Sequence, residues 1–338
     1  MSFKTSEFRV LASGLEYPEG PVYRPDGGVL LVEIHKGTLT RVAPDGTTAT
    51  VATLGGGPNG AAVGPDGAIY VCNNGGMKWI QLPGGDPLPG GGTTLPVWIP
   101  TTQPPSYVTG SIQRVTGSTF TTVYSQCNGN RLCSPDDLVF DAKGGFWFTD
   151  WGKQRATDRD ITAIYYAQAD GSKIVQAIPP QGYPLNRSAP NGIALSPKDD
   201  RLYVAETYAR WILYWELKSE GVIAPSSRLD GSYLLTANLP YEGTLDSIAV
   251  DEAGNVYAAT MLPHGQDPKM AGGITVISPK GEILEFIELM VEGHPEPLPS
   301  NLCFGGPDRR TAFITLAGTG RLVACEMAIP GKQLHFNG

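Results

Sequence analysis

Short apolar runs recur along the chain, each separated from the next by a turn. The stretch EYPEGPVYRPDGGVLLVE (16–33) shows the pattern: a polar opening residue, a short strand, a turn of Pro, Asp and Gly, and a second strand. No long segment repeats apolar residues at the spacing of three and four that an amphipathic helix requires. Turns of this chemistry between short apolar runs are typical of β-hairpins. The pattern predicts an all-β protein.

The hairpin occurs six times. The other five copies start as PNGAAV at Pro58, PDDLVF at Pro135, PNGIAL at Pro190, LDSIAV at Leu245 and PSNLCF at Pro299. The polar residues that open the six copies are separated by 40, 77, 55, 55 and 55 positions, and they are Glu19, Asn59, Asp136, Asn191, Asp246 and Asn301. Repetition at this period fits one four-stranded blade per copy. The sequence therefore predicts a six-bladed β-propeller, with residues 1–338 forming a single domain.

One interval is longer than the others because it contains an insertion at about 75–107. This insertion is rich in Gly and Pro, so we expect it to lack strands and to cross one face of the propeller.

Two sets of polar residues are expected at one face. The inner strand of every blade lines the central axis, so the six opening residues should meet there. Fourteen positions on from each, or fifteen in the fourth copy, the chain has completed one hairpin and should return to the same face. The residues at these second positions are Glu33, Asn73, Asp150, Glu206, Thr260 and Thr315.

Converging carboxylates favour a bound cation. Buried negative charges are costly unless something compensates them. All donors in the first set are hard oxygens, which favours Ca²⁺, with Mg²⁺, Mn²⁺ or Zn²⁺ as alternatives. For any single one of these residues, the competing interpretation is a turn or cap that binds its own backbone. Six in register favour the metal site on the axis.

Composition and charge exclude some functions. The net charge of −8 comes without a basic stripe, so nucleic acid is not an expected partner. No apolar run is long enough for a membrane span or a signal peptide, so we expect a soluble, cytoplasmic protein. The five cysteines form no CxxC pair, and only Cys127 and Cys133 are close enough in sequence to raise the question of a disulfide.

The motifs YPEGP, PNGIALS, LYVAET, PSNLCFGG and GTGRL, in this order, resemble the senescence-marker-protein/gluconolactonase/luciferin-regenerating-enzyme family, which includes regucalcin. They are similar also to diisopropyl-fluorophosphatase, and the resemblance covers nearly the whole chain. It implies an axial calcium ion held by Glu19, Asn191 and Asp246. Asp136 stands where many relatives have Asn, and we include it among the metal ligands.

The resemblance implies a hydrolase that opens a lactone or a related ester. Calcium would polarise the carbonyl, and Asp246 would act as general base or nucleophile, with Glu19 and Asp136 also in the catalytic set. Trp151 stands where similar sequences often have His. The expected substrate contacts are Asn59, Asn73, Asp137, Trp151, Tyr208, Ser300 and Asn301; for Trp151 and Tyr208, packing between blades is the alternative.

Other assignments stay open at this level. No GxSxG motif supports a serine hydrolase, and His264 is either a pocket residue or a surface histidine. The alternative functions are a metal-independent condensing enzyme similar to strictosidine synthase, and a non-catalytic scaffold stabilised by calcium. The substrate is a small molecule: an aldonolactone, an aromatic lactone or a phosphotriester.

Overall fold

The computed structural model describes residues 2–83, 97–160, 162–179, 189–227, 230–237, 239, 243–262 and 271–337. Within these ranges the regular structure consists of β-strands, and no helix is present that could cross a membrane. The prediction of an all-β protein is confirmed.

The first half of the chain forms one leading strand and three blades. The leading strand is β1 (Arg9–Ala12). Blade one contains β2 (Pro18–Tyr23), β3 (Val29–Glu33), β4 (Thr38–Val42) and β5 (Thr48–Thr53). Blade two and its insertion contain β6 (Pro58–Val63), β7 (Ile69–Asn73), β8 (Trp79–Leu82), β9 (Val97–Pro100), β10 (Ser111–Thr116) and β11 (Thr119–Tyr124). A small ladder and blade three follow as β12 (Gln126–Cys127), β13 (Asn130–Arg131), β14 (Pro135–Phe140), β15 (Gly145–Asp150), β16 (Ile164–Gln168) and β17 (Ile174–Ile178).

The second half forms the other three blades. Blade four contains β18 (Pro190–Leu195), β19 (Arg201–Glu206), β20 (Trp211–Ser219), β21 (Val222–Ile223) and β22 (Tyr233–Thr236). Blade five and a small ladder contain β23 (Thr244–Val250), β24 (Val256–Met261), β25 (Gly273–Ile277), β26 (Ile283–Glu288), β27 (Met290–Val291) and β28 (His294–Pro295). Blade six contains β29 (Pro299–Gly305), β30 (Thr311–Leu316) and β31 (Arg321–Glu326).

The blades close into a ring. The inner strands β2, β6, β14, β18, β23 and β29 contact one another in that order, and β29 contacts β2. The leading strand β1 pairs antiparallel with β31 and supplies the outer strand of blade six, so the two ends of the chain share one sheet. This closure leaves no open edge between the first and last blades. The predicted six-bladed β-propeller is confirmed.

Apolar clusters hold the blades together. Each of six clusters in the described residues lies between two adjacent blades. Strand β7 shows why its residues are apolar on both sides: Tyr70 packs towards blade three, and its neighbour Val71 packs towards blade one. Successive side chains of a strand point in opposite directions, so a strand between two blades is buried on both faces.

The insertion differs from its prediction. We expected 75–107 to lack strands, but β8 and β9 pair antiparallel, with Trp79 opposite Pro100 and Leu82 opposite Val97. The segments WIQL and VWIP combine aromatic and branched side chains, which favour a pleated strand even within a sequence rich in Gly and Pro. Within the described part, Trp79 and Ile99 of the insertion lie in the wall of the axial pocket.

The cysteines are free thiols. Cys127 and Cys133 do not form a disulfide, and the other three cysteines are buried among the strands.

Glycine allows the inner strands to approach one another. A Cβ atom added at Gly192 would lie 2.5 Å from the Cα atom of Ser247, on the inner strand of the next blade. Gly20 and Gly60 make the same approach to the next inner strand. The Gly that follows the opening residue in PEG and PNG therefore sets the width of the central channel.

A Gly192→Ala substitution is expected to lower the free energy of unfolding by about 3 kcal/mol, because backbone atoms of Ser247 and Ile248 cannot move aside as a flexible side chain would. Gly67→Ala is the control, since its Cβ atom would meet open space and only its positive φ of 77° costs energy, about 1 kcal/mol. Urea denaturation measures both. A loss at Gly192 no larger than at Gly67 would contradict the close approach.

Candidate functional site

One end of the propeller axis opens into a pocket of about 270 Å³. Five of the six predicted opening residues line it: Glu19, Asn59, Asp136, Asn191 and Asp246. They come from five different blades and meet because each stands near the start of an inner strand. Asp246 is partly accessible, and the other four are buried.

The sixth blade departs from the predicted register. Leu302 pairs with Ile314 as Leu138 pairs with Phe148, so Ser300, and not Asn301, is the equivalent of Asp136. Asn301 occupies the next position, which Gly20 fills in blade one. Two adjacent polar residues in PSN made the sequence alignment ambiguous by one residue.

Hydrogen bonds orient two of the pocket carboxylates. The Glu19 carboxylate accepts the Gly20 amide at 2.5 Å and the Asn301 side-chain amide at 2.7 Å, both on Oε2. The Asp136 carboxylate accepts the Asn59 side-chain amide at 2.9 Å on Oδ2. These hydrogen bonds fix the orientation of each carboxylate. They use one oxygen of each group, and the second oxygen takes no part in them.

The pocket carboxylates repel one another. Burial raises the pKa of Glu19, Asp136 and Asp246 well above the usual range of a carboxyl group. Charge adds to burial: Asp246 raises the pKa of Glu19, Glu19 raises that of Asp136, and Asp136 raises that of Asp246. The three groups form one interacting negative cluster.

The donor set fits a hard cation. Asn191 donates its Nδ2–H to Thr207 Oγ1 at 3.2 Å, and its buried Oδ1 has no hydrogen-bond partner within the described ranges. No three His, Cys, Asp or Glu side chains in the described part of the chain converge closely enough to hold a metal ion by themselves. An ion in this pocket would therefore need donors besides carboxylates. The amide oxygen of Asn191 is one that the pocket offers, and amide and carboxylate oxygens together suit Ca²⁺.

The second predicted set of polar residues does not line the pocket. Asn73 accepts the backbone amides of Gly57 and Gly75, both at 3.0 Å. Asp150 accepts those of Cys133 and Ser134, both at 2.7 Å, and Glu33 and Glu206 likewise accept backbone amides of preceding loops. These side chains fix the loops at the pocket end.

The residues one position further along line the pocket instead. They are Ile34, Asn74, Trp151, Thr207 and Met261. The side-chain alternation of a strand explains the shift, since a displacement of one residue reverses the direction of the side chain. The structure thus places Asn74, and not the predicted Asn73, at the pocket wall.

Besides Asn73, three other predicted substrate contacts lie outside this pocket lining. Asp137 and Asn301 line a separate cavity of about 110 Å³ further along the axis. Burial raises the pKa of Asp137 to about 6, partly offset by the Leu138 amide that it accepts. Ser300 Oγ donates to Pro18 O at 2.9 Å and is fully buried. Asn301 nevertheless acts on the pocket through its bond to Glu19.

Sequence and structure comparisons place the chain among known proteins. A family model described as the SMP-30/gluconolactonase/LRE-like region matches residues 17–318. The chain belongs to the SMP-30/gluconolactonase/LRE-like family. This confirms the family that the motifs indicated.

Individual members of the family show the extent of the similarity. The chain is 27% identical to a gluconolactonase of Zymomonas mobilis, covering 92% of this chain and 79% of the relative. It is 27% identical to lactonase drp35 of Staphylococcus epidermidis, covering 91% and 77%. The solved structure of regucalcin from Agrobacterium tumefaciens, described as a calcium-binding protein, superposes with a TM-score of 0.66 at 15% identity, covering 97% of this chain and 95% of that one. The last similarity shows the shared fold.

In this family member, aromatic residues form one side of the pocket. Trp151 and Tyr208 both line it, with ring centroids 5.9 Å apart, and Tyr208 is 56% exposed at the rim. The Arg159 guanidinium lies over the Trp151 ring, 3.9 Å from its centroid, and donates to the Trp151 carbonyl. The insertion adds Trp79 and Ile99. The described lining therefore combines the carboxylates with a set of largely aromatic and apolar side chains.

Sequence reasoning did not identify Tyr17, which precedes the first opening residue by two positions. It lines the pocket with a positive φ of 59°, a strained conformation for an aromatic residue, and its ring packs on Trp79 with centroids 4.9 Å apart. Burial, and then the charges of Asp246 and Glu19, raise the pKa of its phenol well above the usual value. A tyrosine before Pro-Glu is weak as a sequence signal.

His264, the other open assignment, lies outside the described residues.

Proposed function

We propose that this protein is a lactonase that depends on a divalent cation, with Ca²⁺ as the favoured ion. The observation that carries the proposal is the convergence in one pocket on the axis of Glu19, Asp246 and Asn191, whose Oδ1 has no hydrogen-bond partner among the described residues. The names of the relatives in Z. mobilis and S. epidermidis, gluconolactonase and lactonase, support lactones as the substrate class.

Glu19, Asn191 and Asp246 would hold the ion, with Asp136 close enough to interact with the same charge cluster. When bound, the ion supplies Lewis-acid polarisation of the substrate carbonyl and stabilises the negative charge that develops on its oxygen. The calcium-binding description of the A. tumefaciens neighbour is consistent with this choice of ion.

Asp246 acts on the attacking water in this proposal. Its partly accessible carboxylate accepts a proton from a water molecule while the water oxygen forms a bond to the lactone carbonyl carbon. The bond between the carbonyl carbon and the ring oxygen then breaks, and the proton passes to that oxygen, so that the ring opens to a hydroxy acid. Asn301 and Gly20 keep the Glu19 carboxylate in place during this sequence.

The apolar wall positions the substrate ring. Trp151, Tyr208 and Trp79 offer flat apolar surfaces in the same pocket as the carboxylates, so a compact ring can pack on them while its carbonyl group faces the charged residues. Water is displaced from the apolar side, which strengthens the electrostatic interactions at the reacting carbonyl.

A proton-release assay tests the function. Purified protein with Ca²⁺ is offered an aldonolactone, an aromatic lactone and a phosphotriester, each corrected for spontaneous hydrolysis. We expect turnover in that order of preference. Absence of turnover on every lactone, with Ca²⁺, Mg²⁺, Mn²⁺ and Zn²⁺ each supplied, would reject the proposal and favour a non-catalytic scaffold.

A further inference from the structure

Asn74 and Lys153 form a buried polar pair beside the pocket, and the proposed mechanism uses neither. Both are 0% exposed. Asn74 follows β7 in blade two and lines the pocket, whereas Lys153 follows β15 in blade three. The Lys153 ammonium lies 3.3 Å from Asn74 Oδ1 and 3.4 Å from the sulfur of Met77, another pocket residue.

The side-chain amide of Asn74 has one possible orientation. Its Oδ1 accepts the backbone N–H of Gly76 at 2.9 Å and a hydrogen of Lys153 Nζ at 3.3 Å. Both partners are donors, so the NH₂ group cannot take the place of the oxygen. The Asn74 backbone amide donates to Gly57 O at 2.7 Å, and a Cβ atom at Gly57 would overlap Asn74 Oδ1. The backbone and the side chain are both fixed.

The other end of this amide has no hydrogen-bond partner among the described residues. Asn74 Nδ2 is buried and makes no hydrogen bond within the part of the chain that the structure describes. A buried donor without an acceptor is destabilising, and proteins keep few of them. Because Asn74 lines the pocket, a ligand with an acceptor oxygen can remove this cost.

Lys153 holds the amide in either protonation state. Burial lowers the pKa of Lys153 to about 7, while the charges of Asp150 and Asp136 act in the opposite direction. The ammonium has three N–H groups and the neutral amine has two, so both forms can donate to Gly76 O, at 2.8 Å, and to Asn74 Oδ1.

We propose that Asn74 is a ligand-binding residue whose Nδ2–H donates to a substrate oxygen outside the reacting ester, and that Lys153 is the positioning residue for that amide. This inference rests on the proposed function, because it assigns the specificity of the same pocket. A donor without a protein partner favours a hydroxyl oxygen and disfavours a methylene group at that place. The pocket therefore selects hydroxylated lactones over unsubstituted alkyl lactones.

The test compares two substrates on the full-length, cation-loaded protein: D-gluconolactone, which is hydroxylated, and δ-valerolactone, which is not. Asn74→Ala removes the donor. Asn74→Asp keeps an acceptor for Gly76 and Lys153 but replaces the outward N–H with oxygen, so it should fold normally even where Asn74→Ala does not. Lys153→Met removes the N–H donor to Asn74 Oδ1 and keeps most of the side-chain volume.

Each variant is expected to lower kcat/KM for D-gluconolactone about tenfold, mainly through KM, and to leave δ-valerolactone unchanged. Lys143→Met is the matched control in the same blade, since Lys143 is exposed and pairs with Glu220 at 2.9 Å. It should change neither substrate. An equal loss on both substrates, which a merely structural role would cause, overturns the inference, and so does unchanged kcat/KM.

Binding of D-gluconate, measured by calorimetry, provides a readout that does not require turnover. Asn74→Asp and Asn74→Ala should each bind it about tenfold more weakly than the natural protein. If the natural protein hydrolyses no lactone, the proposed function fails, and the gluconate measurement still decides this inference. Equal affinity in the variants, or no binding by the natural protein, overturns it.

Discussion

Asp246→Asn is expected to reduce hydrolysis by a factor of about 10³ while the propeller stays folded. The substitution is nearly isosteric, but among the described pocket residues it removes the one carboxylate that is partly accessible, which is the proposed base. It also removes one negative charge that raises the pKa of Glu19. Folding stability should therefore be retained or increased. Steady-state kinetics at saturating Ca²⁺ and thermal unfolding without added Ca²⁺ measure the two effects.

Two comparisons make the result specific. Asp26→Asn removes an exposed carboxylate that pairs with Arg41 at 2.7 Å in the first hairpin turn, and its activity should equal that of the natural protein. The Ca²⁺ affinity of the Asp246→Asn variant separates two roles of Asp246. If the variant loses activity but binds Ca²⁺ as tightly as before, Asp246 is the base. If it loses both activity and affinity, Asp246 is mainly a ligand. Full activity of Asp246→Asn would show that another group activates the water.

The fold could be predicted from the sequence because the hairpin pattern repeats along the chain. One hairpin is ambiguous, but six copies with similar turns fix the number of blades and bring their opening residues to one axis. The closure by β1 had no such signal, since Arg9–Ala12 is a short segment outside the six copies. The strands β8 and β9 were missed because the surrounding Gly and Pro outweighed the aromatic and branched residues within them.

The pocket prediction is displaced by one residue at the sixth opening position and throughout the second set, and a register shift of one residue accounts for both. Adjacent polar residues, Ser300 with Asn301 and Asn73 with Asn74, leave the register ambiguous, and a shift of one residue reverses a side chain in a strand. A bulge near the start of the inner strand decides its register with the second strand of the blade. Only the structure shows where this bulge lies. Lys153 was missed for a different reason: a lysine is usually exposed, so its burial has no sequence signal.

Removal of the divalent cation is expected to abolish hydrolysis and to lower the melting temperature. A ligand that binds only the folded state stabilises it in proportion to the logarithm of its concentration over Kd, which is about 4 kcal/mol at a thousandfold excess over Kd. The direction follows from the pocket itself, where Glu19, Asp136 and Asp246 repel one another until a positive charge offsets them. Chelation followed by titration with Ca²⁺, Mg²⁺, Mn²⁺ or Zn²⁺ measures turnover and melting temperature on the same sample.

Asn191→Ala is the variant that connects this effect to the proposed site. It removes the unpartnered amide oxygen and leaves every pocket carboxylate in place, so the carboxylates still repel but hold the ion less tightly. We expect a weaker Kd for Ca²⁺ and a smaller rise in melting temperature, whereas Asp45→Asn, at an exposed turn, should respond as the natural protein does. A chelator that lowers the melting temperature of a protein without turnover would indicate a scaffold. A melting temperature and a turnover that chelation leaves unchanged would mean that the oxygens on the axis do not bind a cation.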